Sequence, residues 1–217
     1  MSTVEADPRR AHAPTEPARL IAAPYGLHRG KAPGWWGMVL LIATEATFFT
    51  ILLTSYWYIR FRTGSAWPPP PIEKPKVFLV GVMTPILLLS SAPMHWAELG
   101  VRRGRLWQLK LGLLVTFAMG ATFLALQAVE YHDILTEEFT PRTNAYGTLF
   151  FSITGFHGFH VAIGLLLNLW LQFYAWRRAF SAERYLPVEN VVLYWHFVDA
   201  VWVFIFISLY LAPRVWP

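Results

Sequence analysis

AYGTLFFSITGFHGFHVAIGLLLNLWLQFY, from Ala145 to Tyr174, contains no Asp, Glu, Lys or Arg. A helix that crosses a membrane needs about 20 mostly apolar residues, and this stretch is longer than that without a fixed charge. Four other segments pass the same test: about Trp35–Ile59, Val77–Ala97, Leu109–Val129 and Val188–Leu211. The sequence therefore predicts an all-α, polytopic membrane bundle of five transmembrane helices. Composition points the same way. Hydrophobic residues make up 55% of the 217 and charged residues 14%, against about 25% charged in a soluble domain.

Several function classes drop out. The chain has no cysteine, which excludes a disulfide scaffold, an iron–sulfur cluster, a thiolate-bound metal and a Cys nucleophile. The net charge of +5 is scattered between apolar runs, so no nucleic-acid partner is expected. No Gly-rich phosphate loop follows a strand, and no Ser/His/Asp set is evident. Residues 1–34 are rich in Pro, Ala and Arg and lack an apolar core. They read as a polar tail, with residues 35–217 forming the five-helix domain.

Lys and Arg sort by side. The tail and the second and fourth connections carry 12 of them, including Arg102, Arg103, Arg105, Lys110, Arg177, Arg178 and Arg184, and the other side carries 6. The positive-inside rule then predicts a cytoplasmic N-terminus and an outside C-terminus. Trp35, Trp36, Trp96, Trp107 and Trp176 fall near the inner interface, and Trp57, Tyr131, Tyr146 and Trp216 near the outer one. Pro85 and Pro93 favour kinks in the second span. Trp67 leads into Pro68–Pro71, read as a stiff polyproline course for the first outer loop. Gly155, Gly158 and Gly164 allow another helix to approach the fourth span closely.

Ionisable groups at membrane depth each cost about 2.5–3.5 kcal/mol on insertion scales and need a reason to be there. Glu45, His157, His160, His196 and Asp199 are such groups. Glu45 reads either as a protonatable group beside a proton route or as a buried bridge from the first span to the fourth or fifth. His157 and His160, three residues apart, share one helical face and cannot ligate opposite sides of one haem. His196 and Asp199 share the same spacing and are expected to pair with each other. Glu98, Glu130 and Glu189 lie at span ends, within reach of headgroup water, and are given no role. Neither a catalytic residue nor a metal-ligand set is expected, and the chain reads as a packing and coupling subunit.

Four segments carry a family resemblance. They are the GFHGFH of the fourth span (Gly155–His160), YWHFVDAVWVFIFISLY (Tyr194–Tyr210), ATEATFF (Ala43–Phe49) followed by WPPPP (Trp67–Pro71), and LQAVEY (Leu126–Tyr131). Together they resemble subunit III of the haem–copper terminal oxidases, cytochrome c oxidase in particular, from about Trp36 to the C-terminus. The resemblance implies a subunit without haem or copper of its own, those cofactors residing in partner subunits. It would pack on the catalytic subunit I beside a copper-domain subunit II, bind phospholipid and support proton uptake. Glu45 falls on the family's intramembrane glutamate, His160 on the second histidine of GFHGxH, and His196 and Asp199 on those of YWHFVD; a Glu45–His160 contact is expected. Longer members have two more helices before the glutamate-bearing one. The chain thus resembles the five-span bacterial form, placed in the cytoplasmic membrane, with the lipid cleft either completed by a small further subunit or left open. Alternatives are subunit III of a quinol oxidase, an accessory subunit of a nitric oxide reductase, or, from another class, a transporter or channel gated by Glu45.

Overall fold

The computed structural model describes residues 32–64, 67–73 and 76–215. The chain divides into two units, Met1–Ala32 and Pro33–Pro217. Nearly all of the expected tail, with Arg9, Arg10, Arg19, Arg29 and Lys31, lies outside the described residues, as does Trp216. Five helices are long and apolar enough to cross a membrane: α1 (Pro33–Thr63), α2 (Phe78–Arg102), α3 (Leu106–Asp133), α4 (Ala145–Trp176) and α5 (Leu186–Ile205). The chain is thus all-α and polytopic, as its apolar runs predict. The helices outlast those runs by a turn or so. α3 continues through a π-helical turn, Ile134–Glu138, and α5 through another, Phe206–Leu211, before a last turn Ala212–Val215.

Helices α2, α3, α4 and α5 pack in a closed ring, each on the next, and α1 lies against α4 and α5. The tightest pairing is the α2–α3 hairpin. Gly104, at φ 71°, turns the chain, while the amide of Arg105 donates to the Gly100 carbonyl at 2.8 Å and that of Gly104 to Val101 at 3.0 Å. This pattern closes the last turn of a helix on its own carbonyls. Gly112 then brings α3 so near α2 that a Cβ there would sit 2.6 Å from the Pro93 carbonyl oxygen. α2 runs unbroken through Pro85 and Pro93.

Two tryptophans of α5 fill the ring. Trp195 is fully buried and donates through Nε1 to Ser90 Oγ on α2 at 2.9 Å. Its ring lies where a Cβ on Gly120 of α3 or Gly164 of α4 would come within 2.7 and 2.8 Å. Trp202 donates to Thr84 on α2 at 3.1 Å and meets Phe123 of α3 edge-on at 4.8 Å. A buried indole needs a partner for its N–H, and a small hydroxyl residue on α2 supplies one each time.

The first loop departs from the stiff course expected of it. Trp67 is folded inward, only 4% exposed, with Nε1 donating to the Tyr56 hydroxyl at 2.9 Å. The Ile72 amide turns back to the Pro69 carbonyl at 3.2 Å. Asn144, which caps α4 by accepting from the Gly147 amide, also donates to that carbonyl at 3.3 Å. The loop is thus a plug against α1 and α4 rather than an extended spacer.

Gly112→Ala should cost about 1–3 kcal/mol, because its methyl meets backbone that cannot move aside. A Cβ at Gly37 meets nothing within 4 Å, so Gly37→Ala should be neutral or stabilising by up to about 1 kcal/mol. Thermal unfolding of the two variants in detergent checks the contrast.

Candidate functional site

Glu45 lies twelve residues into α1, about 18 Å along its axis at 1.5 Å per residue. Its Oε2 is 3.1 Å from His160 Nε2 on α4, so the expected contact is present. The other ring nitrogen, Nδ1, is 2.6 Å from the Phe156 carbonyl oxygen. A carbonyl only accepts, so Nδ1 carries a hydrogen. Nε2 then faces Glu45 either bare, accepting from a carboxylic acid, or protonated, donating to a carboxylate. Either way, one proton lies on the bond between them. His160 is buried, while the Glu45 side chain keeps 35% of its surface open.

His157 sits on the same side of α4, and both histidines border Phe49. It is fully buried, tilted over Trp202 at 4.9 Å and met by Phe123 at 6.0 Å. Neither ring nitrogen has a partner among the described residues. It packs as an aromatic disc. Among the described residues no group of three or more His, Asp and Glu stands close enough to hold a metal ion.

His196 and Asp199 do not pair directly. Ser91 of α2 comes between them, donating to Asp199 Oδ2 in a short hydrogen bond. Having spent its hydrogen, the Ser91 oxygen accepts from His196 Nδ1 at 2.8 Å. The spacing along α5 predicts a shared face, but a third residue across the helix seam takes the bridging place. Farther along the seam His95 Nδ1 is 3.5 Å from Glu98, and Arg102 reaches Glu98 at 2.6 Å and Glu189 at 3.7 Å. Glu98 and Glu130, expected at span ends within reach of headgroup water, are each only 7% exposed.

The three glycines of α4 differ in tightness. A Cβ on Gly158 would come 2.9 Å from Gln127 Oε1 and one on Gly164 within 2.8 Å of Trp195, but one on Gly155 would stand at an ordinary 3.4 Å from the Tyr131 hydroxyl. Gln127 and Tyr131 of α3 bond in turn to the carbonyl and hydroxyl of Thr154 at 3.0 and 2.6 Å. Sequence reading passed over Ser90, Ser91, Thr84, Gln127 and Thr154. The one signal available was the demand of Trp195 and Trp202 for acceptors.

The sequence profile of the family described as cytochrome c oxidase subunit III matches residues 28–214. The chain belongs to that family. Similar relatives include cytochrome c oxidase subunit 3 of Hippopotamus amphibius, 34% identical, and of Aedes aegypti, 36% identical. Each match covers 81% of this chain and 68% of the relative. Cytochrome c oxidase subunit 3 of Lumbricus terrestris is 34% identical over the same shares. Membership makes this an integral membrane protein of a respiratory oxidase complex. Glu45, His160, His196 and Asp199 lie in the segments that carried the resemblance, whereas Ser91, which joins the last two, lies outside them.

Glu45→Gln can still donate an amide hydrogen to Nε2 and should change stability by less than about 0.5 kcal/mol. Glu45→Leu strands that nitrogen and should cost about 1–2 kcal/mol, as should Ser91→Ala. Unfolding midpoints of the detergent-solubilised variants measure all three.

Proposed function

We propose that the chain is a non-catalytic subunit III of a proton-pumping cytochrome c oxidase, bracing the catalytic subunit and supporting its proton uptake. One observation carries this reading: its polar groups at membrane depth are mostly taken up in bridges between its own helices. Glu45 meets His160, Ser91 links His196 to Asp199, and the two buried indoles end on Ser90 and Thr84. Side chains committed to bridges hold helices together and leave electron transfer to other subunits. The partners in this reading are a catalytic subunit I that holds the haems and copper, a copper-domain subunit II, membrane phospholipid and a small subunit beside α1. The membrane is the bacterial cytoplasmic one with the amino end inside, supported by the excess of Lys and Arg on that side, 12 against 6.

The exposed part of Glu45 supports a role at the edge of a proton route, since a pair that shares one proton can pass it on without either group being left unpaired. Glu45→Ala should leave haem content and the initial rate of oxygen consumption unchanged and shorten the enzyme's working life. An immediate, complete loss of oxygen reduction in the assembled complex would refute the non-catalytic role. A reduced-minus-oxidised spectrum of whatever co-purifies with the chain tests the donor. Haem a bands with a copper-domain subunit are expected; haem b or o bands without one would move the reading to a quinol oxidase or nitric oxide reductase. A chain that stays alone and colourless under gentle extraction would favour a transporter.

A further inference from the structure

At the end of the bundle opposite the Arg-rich connections, the π-helical turn that extends α3 borders a small space beside Glu130, and Tyr210 on the π-turn of α5 lies next to that carboxyl. A cavity of about 70 Å³ is lined by Lys76, Leu79, Glu130, Asp133, Ile134 and Glu138. Glu130 is 7% exposed, and its Oε2 has no partner among the described residues. The Tyr210 hydroxyl, on the π-turn of α5, faces Glu130 without closing a hydrogen bond. Tyr146 of α4 brings a second buried, unpartnered hydroxyl to the same region. Wide turns of this kind are rare and recur at functional sites, and here they sit on the helices that carry Glu130 and Tyr210.

Buried polar atoms are nearly always hydrogen-bonded, to protein or to ordered water. One water needs at least ~10–15 Å³ and about two to four polar partners, so the cavity has both the room and the groups for a few. Its mouth is crossed by Lys76, whose Nζ is 2.9 Å from Glu138 and 3.9 Å from Glu137. The Glu138 carboxylate raises the Lys76 ammonium above its ordinary value, so this exposed latch stays charged across neutral pH. The titratable groups near Glu130 are Tyr131, Asp133 and Glu138 from its own helix, Lys76 from the segment before α2, Tyr146 from α4 and Tyr210 from α5; α2 contributes Leu79 to the lining.

We propose that this chamber holds water and is a proton-exchange site, through which Glu130 trades protons with the carboxylates Asp133 and Glu138 at the surface. The transfer breaks an O–H bond at Glu130 and forms one at a chamber water, which releases a different proton to Asp133 or Glu138; no electrons move. The site is separate from the Glu45–His160 bond and does not depend on the identity of the oxidase.

Radiolytic hydroxyl-radical labelling of the intact complex in heavy-oxygen water tests for hydration without any substitution. Tyr210, fully buried, should be labelled several-fold faster than the equally buried Phe123, and Ile134, 5% exposed, several-fold faster than the comparably buried Val191. Equal rates would overturn the proposal. Infrared difference spectra across a pH series test the proton. Glu130→Gln should remove one carboxylic C=O band, and that band in the unmodified complex should deuterate quickly in heavy water. No lost band, or a band that resists deuteration, would overturn the exchange role. Glu130→Asp, which keeps the acid and shifts the band, gives the same reading if the Gln variant does not assemble.

Discussion

The indole of Trp195 meets three other helices at once. Its N–H ends on Ser90 of α2, and its ring fills the space left by Gly120 of α3 and Gly164 of α4. In lipid there is little hydrophobic drive for helices to associate, so shape and internal hydrogen bonds must hold them. A large ring with one donor, seated between two glycines and a serine, supplies both. Trp202 repeats the arrangement farther along α5 with Thr84 and Phe123. The closed ring of α2 to α5 follows from these two residues and from the close α2–α3 hairpin at Gly112.

α1 is held differently. Only 6% of its apolar window is buried in the chain, so packing contributes little to its position. Polar contacts fix it at three levels. Asn190 donates to the Gly34 carbonyl at 3.2 Å near one end, His160 meets Glu45 in the middle, and Arg60 reaches the Ala212 carbonyl at 3.2 Å near the other. Trp57 adds a bond to Ser208 at 3.2 Å. The middle contact is thus as much an anchor as a place where a proton resides. Both readings of Glu45 that the sequence left open are compatible with one geometry.

The five helices were legible because each apolar run exceeds what a membrane crossing needs. The Glu45–His160 bond was legible because a carboxyl at such depth must find a partner and the family resemblance named one. The Ser91 bridge was not, since serine in an apolar helix gives no signal until a neighbouring helix brings a histidine and an aspartate to it. The setting of Glu130 was not legible for a related reason. Its position near the end of an apolar run suggested an open carboxyl among the headgroups, but the π-turn extends α3 past it and leaves it 7% exposed beside a small cavity. The fold of the first loop also escaped, because Trp67 and the prolines after it read as a stiff polyproline course until the indole N–H is seen to end on Tyr56.

A subunit whose polar residues hold helices rather than perform chemistry can be removed without taking the redox centres with it. The most direct measurement is selective detergent stripping of this chain from the purified complex, followed by haem and copper analysis and the initial rate of oxygen consumption. The remaining complex should keep its full haem and copper content and its initial rate, and the released chain should be colourless. Haem or copper leaving with the chain, or an immediate loss of oxygen reduction by what remains, would contradict the role assigned to it.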